Sequence, residues 1–487
     1  MSEEAERQAR IEAFLEGKVP VELPKGKLTI LIGSWVIFIA IGIFALVDLY
    51  GPHVAMIAWL SALIAAELWL PILILIFVAA GTTILTVWVM IRLLKNHGYG
   101  LLKFSIILST LMTWVFAIVA LILIPFTYEL LFMLIMPIIS TVLTILYFTI
   151  WKTRLELAGG ILTITGKVTH EEKELLVPGF LKVLFVGILG AFGLIIGLDI
   201  IAYTVPYVDP MWFHYIPVFV YLFVLFLYIY INTYFFNAIV SAIVYIWYRK
   251  KDPTFHDGLA IATYQLPDIA LFATFSAIIR FIRMILRAAA SRSKSKPAWV
   301  GGGYRLADGI IGTVWFYVNY FTLPSIVIED VPATTAIKRS AHRLFDNWVD
   351  VLLKEWGVSK VFGTLQFVII LLFAFGGGLL GFILWLIFPV IDVVIFIIIG
   401  VILFLFISTL ISKPLLNLFN DIYLTFLFGF VIDKESNFKY ENNLPKELSD
   451  KLKDWFKSHP SVRRCQKCWS RVPEGASACP KCSAPYP

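Results

Sequence analysis

Residues 360–387 have the sequence KVFGTLQFVIILLFAFGGGLLGFILWLI, and residues 391–412 have the sequence IDVVIFIIIGVILFLFISTLIS. Each stretch holds a single charged residue near its N-terminal end, and Pro389 between them fits a turn. A helix needs about 20 apolar residues to cross the hydrocarbon core of a bilayer, and both stretches exceed that length. Because they are continuously apolar rather than alternating, they favour helices over a barrel. The pair predicts a helical hairpin in a membrane.

The whole composition extends this prediction. Of 487 residues, 60% are hydrophobic and 15% are charged, whereas an ordinary soluble chain is about 45–50% apolar and about 25% charged. We therefore predict an all-α polytopic membrane protein with about ten transmembrane helices, in the cell membrane. Well-defined apolar runs lie at 28–49, 71–94, 101–124, 127–150, 181–204, 213–248, 306–328, 360–387 and 391–412.

Three further apolar segments are ambiguous. Residues 54–70 end at Pro71 and fit a short re-entrant or interfacial piece. Residues 259–290 either cross the membrane, which puts their basic end outside against the positive-inside rule, or only dip into it. Residues 414–432 contain polar side chains and fit a helix packed within protein or at the interface.

The distribution of charge divides the chain into six parts. The acidic N-terminus lacks the basic region and apolar core of a signal peptide, so we expect it to be retained and cytoplasmic. In the charged interruption, Gly159-Gly160 lies between two short runs and could form a small hairpin. The parts are an N-terminal tail (1–27), a first transmembrane half (28–150), a charged linker (151–180), a second transmembrane half (181–432), a linker with an amphipathic helix (433–460) and a cysteine module (461–487).

Residues after Pro332 alternate at helical spacing. The apolar positions are Ile337, Ala341, Leu344, Phe345, Trp348 and Leu352, and the polar positions are Lys338, Arg339, His342, Arg343, Asp346 and Asp350. This pattern predicts an amphipathic helix on the membrane surface. A second, shorter amphipathic helix is predicted from Pro445 to Ser458, with Leu448 on its apolar side.

All four cysteines of the chain occur in its last 23 residues, as two Cys-x-x-Cys pairs: Cys465, Cys468, Cys479 and Cys482. This spacing is typical of a zinc ribbon, in which four thiolates hold a structural Zn²⁺. Because such thiolates need a reducing compartment, we expect a cytoplasmic tail. Basic residues lie beside the pairs at Arg464, Lys467, Arg471 and Lys481. They either form a surface for RNA or an acidic protein, or only offset the charge of the metal centre.

Polar residues inside the predicted spans are the other candidate sites, since such residues often mark transport pathways. Most lie near helix ends or proline breaks, which favours structural roles, and within single spans they form no paired array. The candidates are Glu67, Asp199, Asn232, Asn237, Asp268, Asp308, Asn319 and Asp392. The basic residues Arg280, Arg283 and Arg287 predict either binding of anionic lipid or a topological anchor.

The second half, about 180–432, resembles an uncharacterised family of prokaryotic polytopic membrane proteins. The resemblance rests on Tyr234-Phe-Phe-Asn237, Asp252-Pro253, Asp257-Gly258, Leu323-Pro324 through Glu329-Asp330, and Ala336 through Ser340. It implies a six-helix architecture and no established activity. The tail resembles zinc-ribbon modules that are common in prokaryotic proteins.

No hydrolase, nucleotide-binding or zinc-protease motif occurs, so a non-enzymatic protein is predicted. The leading hypothesis is a membrane scaffold or tether whose zinc ribbon recruits a protein or ribonucleoprotein partner through residues 461–487. The alternative is a transporter or channel with a regulatory ribbon. A homo-oligomer is compatible with either hypothesis.

Overall fold

A computed structural model describes residues 3–16, 21–50, 69–123, 134–204, 215–249, 252–292, 298–346, 357–388, 392–436, 442–450, 472 and 479–482. Within these ranges the secondary structure is helical, apart from turns and short extended pieces. The helices are α1 (Glu3–Leu15), α2 (Lys25–Tyr50), α3 (Trp69–Leu123), α4 (Ile135–Phe148), α5 (Lys152–Glu171), α6 (Leu176–Thr204), α7 (Tyr215–Tyr248), α8 (Phe255–Tyr264), α9 (Leu266–Arg292), α10 (Ala298–Val318), α11 (Thr322–Glu329), α12 (Ala333–Asp346), α13 (Ser359–Ile387) and α14 (Val393–Glu435).

The lengths and compositions of these helices fit a multi-pass membrane protein. Within the described ranges, eight helices are long and apolar enough to cross a membrane, or up to nine if the bent pair α4 and α5 forms one span. This confirms the all-α polytopic prediction, whereas the exact number of ten stays a prediction. The predicted re-entrant piece at 54–70, including Glu67, lies almost entirely outside the described residues.

Helix α3 has a break in its middle. His97 departs from helical geometry, with φ −134° and ψ 26°, and separates two helical arms. Each arm is longer than the roughly 20 residues that a span needs. The arms correspond to the two spans predicted at 71–94 and 101–124, although α3 counts once among the eight helices.

The predicted hairpin around Gly159 is wrong, because residues 152–171 form one helix, α5. This helix packs across the break in α3, and its apolar side chains are buried there. The contact is close because glycines form it. A Cβ atom on Gly159 would lie 2.7 Å from the Tyr99 side chain, and one on Gly166 would lie 2.4 Å from the Lys95 amide nitrogen. Tertiary burial therefore overrides the low helix propensity of these glycines.

The helical hairpin predicted from residues 360–387 and 391–412 is present as α13 and α14. Gly377 and Gly381 allow these helices to pack closely. A Cβ atom on Gly377 would lie 2.5 Å from the carbonyl oxygen of Gly400, and one on Gly381 would lie 2.5 Å from that of Phe396. The two helix backbones therefore approach one another at van der Waals distance.

This packing predicts the effect of a single methyl group. A Cβ atom on Gly400 would lie 2.2 Å from the carbonyl oxygen of Gly377, so backbone must move to admit it. We expect Gly400→Ala to lower the unfolding free energy by about 1–3 kcal/mol, measured by denaturant titration in detergent. Gly363→Ala on α13, where a Cβ meets nothing within 4 Å, is the matched control and should cost nothing. Equal stability of the two variants would contradict the close packing.

Helix α14 does not end at residue 412. It continues through Pro414 to Glu435, and its second half is buried among α6, α7 and other helices. The prediction that 414–432 is a helix packed within protein is confirmed. A separate helix was expected to begin there, however, and instead the helix continues through Pro414 without interruption. The core of the molecule therefore lies around the C-terminal halves of α7 and α14.

The orientation of α9 decides between the two alternatives for 259–290. Tyr234 of α7 stacks on Phe272, whereas Phe223 and Phe219, farther toward the start of α7, contact Phe281. Helix α9 is thus antiparallel to α7 and is one of the helices able to span a membrane. Its basic C-terminal part therefore lies at the opposite end of the bundle from the end of α7.

The buried face of α12 overlaps the predicted one only in part. Leu344 is buried and Ile337 packs against the core, as predicted. Arg343, assigned to the polar face, is also buried, whereas Phe345, assigned to the apolar face, is 72% exposed. Trp348, Asp350 and Leu352 lie outside the described residues. The exception at Arg343 arises because two carboxylates, Glu329 and Glu435, bind its guanidinium. The Ser340 hydroxyl also accepts the amide of Phe321 at 2.8 Å, which ties α12 to the turn between α10 and α11.

Candidate functional site at the ion-paired end

One end of the helical bundle is held together by buried charges. We call it the ion-paired end and define it by α1, residues 245–249 at the end of α7, the junction at Glu329-Asp330, helix α12 and residues 433–435 of α14. Since these segments are far apart in sequence, tertiary contacts alone bring them together.

Arg343 is the centre of the first cluster. Its side chain is 1% exposed and binds two carboxylates. The Nη atoms donate to Glu329 at 2.6 and 2.9 Å, and Nε and Nη2 donate to Glu435 at 2.9 and 2.7 Å. Such forked geometry gives the strongest charge-assisted hydrogen bonds. Helices α11, α12 and α14 are therefore joined by one guanidinium.

The first cluster is electrically balanced. Arg339 donates to Glu329 at 3.0 Å, so two arginines face two glutamates. Arg343 also lies over the Phe428 ring, 5.0 Å from its centroid. Burial alone would lower the pKa of Arg343, but the carboxylates of Glu329 and Glu435 raise it above the ordinary value of a guanidinium. Arg343 is thus a permanent cation.

Asp433 is the centre of the second cluster and lies two residues before Glu435 on α14. It is fully buried and forms an ion pair with Arg249, with Nη1 2.7 Å from Oδ1. Its other oxygen accepts hydrogen bonds from the Tyr248 hydroxyl and, at 2.9 Å, from the Asn442 amide. Burial lowers the pKa of Arg249, but Tyr245 and Asp433 more than offset it and raise the pKa overall.

The N-terminal helix is fastened at the same end by Asp330. This residue adopts a left-handed conformation at the end of α11, with φ 47° and ψ 46°, which is uncommon for a residue other than glycine. Its carboxylate accepts Arg10 Nε at 3.2 Å and the Gln265 amide. Phe14 packs on Tyr245 with ring centroids 5.3 Å apart. Helix α1 is therefore part of the bundle end.

The segment that precedes the cysteines is docked here as well. The Asn443 amide donates to the Tyr248 carbonyl at 2.8 Å, and Asn442 binds Asp433. The Leu448 side chain lies against Gly160 of α5, where a Cβ atom would be 2.8 Å away. Residues 446–450 begin a helix after Pro445, as predicted. The remainder of that predicted helix lies outside the described residues.

The residues that carry the family resemblance are structural joints. Asp257 forms a capping box with Thr254 at the start of α8, and Asn237 accepts the Lys182 ammonium at 2.6 Å. Together with Glu329, Asp330 and Ser340, they connect helices at or near the ion-paired end. Except for the local cap at Asp257, these roles were missed because each depends on a partner in another helix.

Several polar candidates make hydrogen bonds at helix ends or between helices. Asp392 caps α14 by accepting the Val394 amide at 2.8 Å, and Asp268 accepts the Ala333 amide at 2.9 Å. Asn319 bonds within the break between α10 and α11. Asn232 is buried and accepts the Trp35 indole.

Polar residues form pairs between helices, which the prediction about single spans did not address. Lys182 of α6 lies 3.3 Å from Asp421 of α14. Asp308 of α10 pairs with Arg283 and Arg287 of α9, at 2.7 and 2.8 Å. A like-charged contact also occurs, because Asp199 of α6 interacts with Asp48 of α2. No periodicity within one span could reveal these pairs.

The described part of the cysteine module fits a thiolate site. Cys479 is 2% exposed, and its Sγ accepts the Lys481 amide at 3.4 Å. Cys482 lies in the same turn. Cys465 and Cys468 are outside the described residues, so the four-cysteine zinc site stays a prediction.

Comparison with known proteins agrees with the resemblance of the second half. No curated protein matches the chain. Residues 216–438, a little under half of the chain, match the model of a family of unknown function, DUF6159. The six-helix architecture implied by the resemblance stays a prediction. The second half is thus similar to an uncharacterised family.

Proposed function

We propose that the chain is a non-enzymatic membrane scaffold whose C-terminal zinc ribbon, residues 461–487, recruits a protein or ribonucleoprotein partner. The observation that carries the proposal is the docking of the preceding segment. Asn442 and Asn443 are held by the buried pair of Tyr248 and Asp433. A module that only hung from the membrane would need no such attachment to the core.

The docking limits where a captured partner can be. Fourteen residues separate Asp450 from Cys465, and an extended chain of that length spans roughly 50 Å. The ribbon therefore stays within roughly 50 Å of residue 450. We infer that the ion-paired end is cytoplasmic, because Lys27, Lys152 and Arg249 lie at helix ends here. The basic C-terminal part of α9 lies at the opposite end and is an exception to the positive-inside pattern.

The chemistry of the tail fits a structural metal. Cys479 and Cys482 supply two of the four thiolates, and Cys465 and Cys468 would supply the others. Zn²⁺ with four thiolates has no open position for substrate, so it would fix the fold of the ribbon. Basic side chains around it would then face an acidic partner.

Two variants test the proposal. We expect Cys465→Ser with Cys468→Ser to lose about one zinc ion per chain, measured by elemental analysis, and to lose the partner that crosslinks to the wild-type tail in intact membranes. A second variant retains all cysteines and replaces Arg464, Arg471 and Lys481 with Gln. It should retain zinc and lose the partner.

Nuclease treatment before capture separates the two classes of partner, since a ribonucleoprotein would be released by it. The proposal fails if both variants capture the same partners as the wild type. It also fails if the wild-type chain contains no zinc.

A transporter or channel with a regulatory ribbon is the alternative. It is favoured by one observation, the Lys182 ammonium held between Asn237 and Asp421 where α6, α7 and α14 meet. Ionisable residues within spans often mark ion or substrate pathways. Solute flux in sealed proteoliposomes that persists without the ribbon would favour this alternative over the scaffold.

A further inference from the structure

The basic face of α9 carries more positive charge than its partner neutralises. Arg283 and Arg287 share the carboxylate of Asp308, and Arg280 is exposed on the same helix. The arginines at positions 280 and 287 are seven residues apart, so they project from one face. With one carboxylate against three guanidinium groups, this face has a net charge of about +2.

The surroundings of this charge are apolar. Ile278, Ile282 and Ile285 on α9 are each at least 40% exposed, as are Ile310 and Val314 on the neighbouring α10. In a helix able to span a membrane, such side chains face lipid. A guanidinium in that setting needs an anion or water, because leaving it unpaired in hydrocarbon is costly.

The depth of Arg287 corresponds to that of the lipid headgroups. Asp268 binds the Ala333 amide close to the ion-paired end. At 1.5 Å per residue, Arg280 and Arg287 lie roughly 18 and 28 Å farther along α9. The hydrocarbon core is about 30 Å thick. Arg287 therefore reaches the opposite headgroup layer, whereas Arg280 lies about two turns deeper, where its guanidinium has a stronger need of an anionic partner.

The neighbours of Arg287 orient it for such a ligand. Asp308 accepts the Nε–H of Arg287 at 2.8 Å, and the Arg287 side chain is 52% exposed. Arg283 lies inward, and its guanidinium occupies the space that a Cβ atom on Gly312 would fill. Arg287 is thus bound to Asp308 on one side, and its other side is accessible to a ligand.

We propose that Arg280 and Arg287 bind the phosphate of an anionic phospholipid, with Arg283 and Asp308 as positioning residues. The site is independent of the zinc ribbon and lies at the other end of the bundle. A phosphate presents the oxygen acceptors that guanidinium groups bind most readily. Its position at headgroup depth favours phospholipid over free phosphate.

The test uses the full-length chain in detergent, titrated with phosphatidylglycerol, phosphatidylcholine or inorganic phosphate, with bound lipid counted by native mass spectrometry. We expect Arg280→Gln with Arg287→Gln to weaken phosphatidylglycerol binding about 25-fold, or about fivefold for each arginine. The matched control, Lys167→Gln with Lys338→Gln, removes two exposed charges elsewhere and should change binding less than twofold.

The Asp308→Asn variant distinguishes arginines that bind lipid from arginines that only join α9 to α10. Asparagine retains an oxygen that can accept the Nε–H of Arg287 but removes the negative charge that competes with a phosphate. If the arginines bind lipid, this variant therefore binds phosphatidylglycerol as well as the wild type or more tightly. Loss of binding in Asp308→Asn equal to that in the double arginine variant would overturn the proposal. So would wild-type binding by the double variant, or complete competition by inorganic phosphate. If the double variant is not monodisperse, Arg280→Gln alone is used, with an expected loss of about fivefold.

Discussion

Replacing Arg343 with Met is expected to lower the unfolding free energy by about 3–5 kcal/mol. The methionine retains much of the volume of the side chain but leaves Glu329 and Glu435 without the cation that they share. Glu329 is buried, so its charge would have to be desolvated without compensation. Removing one partner of a buried ion pair is far more costly than removing the whole pair.

Denaturant titration of the detergent-solubilised protein measures this loss. Arg339→Gln is the matched control, because this arginine on the same helix binds Glu329 through one hydrogen bond and is more exposed. It should cost about 1 kcal/mol. Adding Glu329→Gln to Arg343→Met should recover part of the stability. A cost below 1 kcal/mol for Arg343→Met would show that the cluster does not hold the helices together.

Asp433→Ala should have an effect of similar size, about 3–5 kcal/mol. The substitution leaves the guanidinium of Arg249, which is 1% exposed, without its carboxylate. It also removes the acceptor of Tyr248 and Asn442. Asn442 is the first residue of the docked segment. We therefore expect this variant to release residues 442–450 from the bundle as well.

The two effects have separate readouts. Stability is measured as for Arg343, and release is measured by limited trypsin digestion at Lys446, which should become several-fold faster. Asn442→Ala is the control, since it removes only one hydrogen bond and should cost about 1 kcal/mol. If cleavage at Lys446 were unchanged in Asp433→Ala, the buried aspartate would not hold the segment.

Hydropathy predicted the membrane helices closely. The apolar runs at 181–204, 213–248 and 360–387 correspond to α6, α7 and α13, with ends that differ by a few residues. This agreement has a physical basis, because a bilayer requires long apolar helices whatever they pack against. The second half of α14 is buried in protein instead. Hydropathy predicted that it is a helix, but did not predict that it continues from the first half without interruption.

The errors concern packing between helices. Helix α5 was predicted as a hairpin because Gly159-Gly160 is a turn signal, and only the close approach of α3 explains why glycine stands there. Arg343 of α12 was assigned to the exposed face because arginine counts as polar until Glu329 and Glu435 are known to bind it. A hydrophobic pattern describes one helix at a time and contains no information about such partners.

The candidate sites also differ in whether their members are close in sequence or lie on different helices. The cysteine spacing could be recognised because all its members are close in sequence. The pairs of Asp308 with Arg283 and of Lys182 with Asp421 could not, since their members belong to different helices. Even so, the opposite charges of these residues within apolar helices were a signal that partners had to exist.

The contact between Arg10 and Asp330 also has a consequence for biosynthesis. The two residues are 320 positions apart, and at 5–20 residues per second the ribosome needs roughly 16–64 s to make the chain between them. Helix α1 therefore emerges long before its binding site exists. Asp433 and Glu435, which complete the two buried clusters, are made later still. The end of the bundle that holds α1 and the end of α14 is consequently the last part of the membrane portion to assemble.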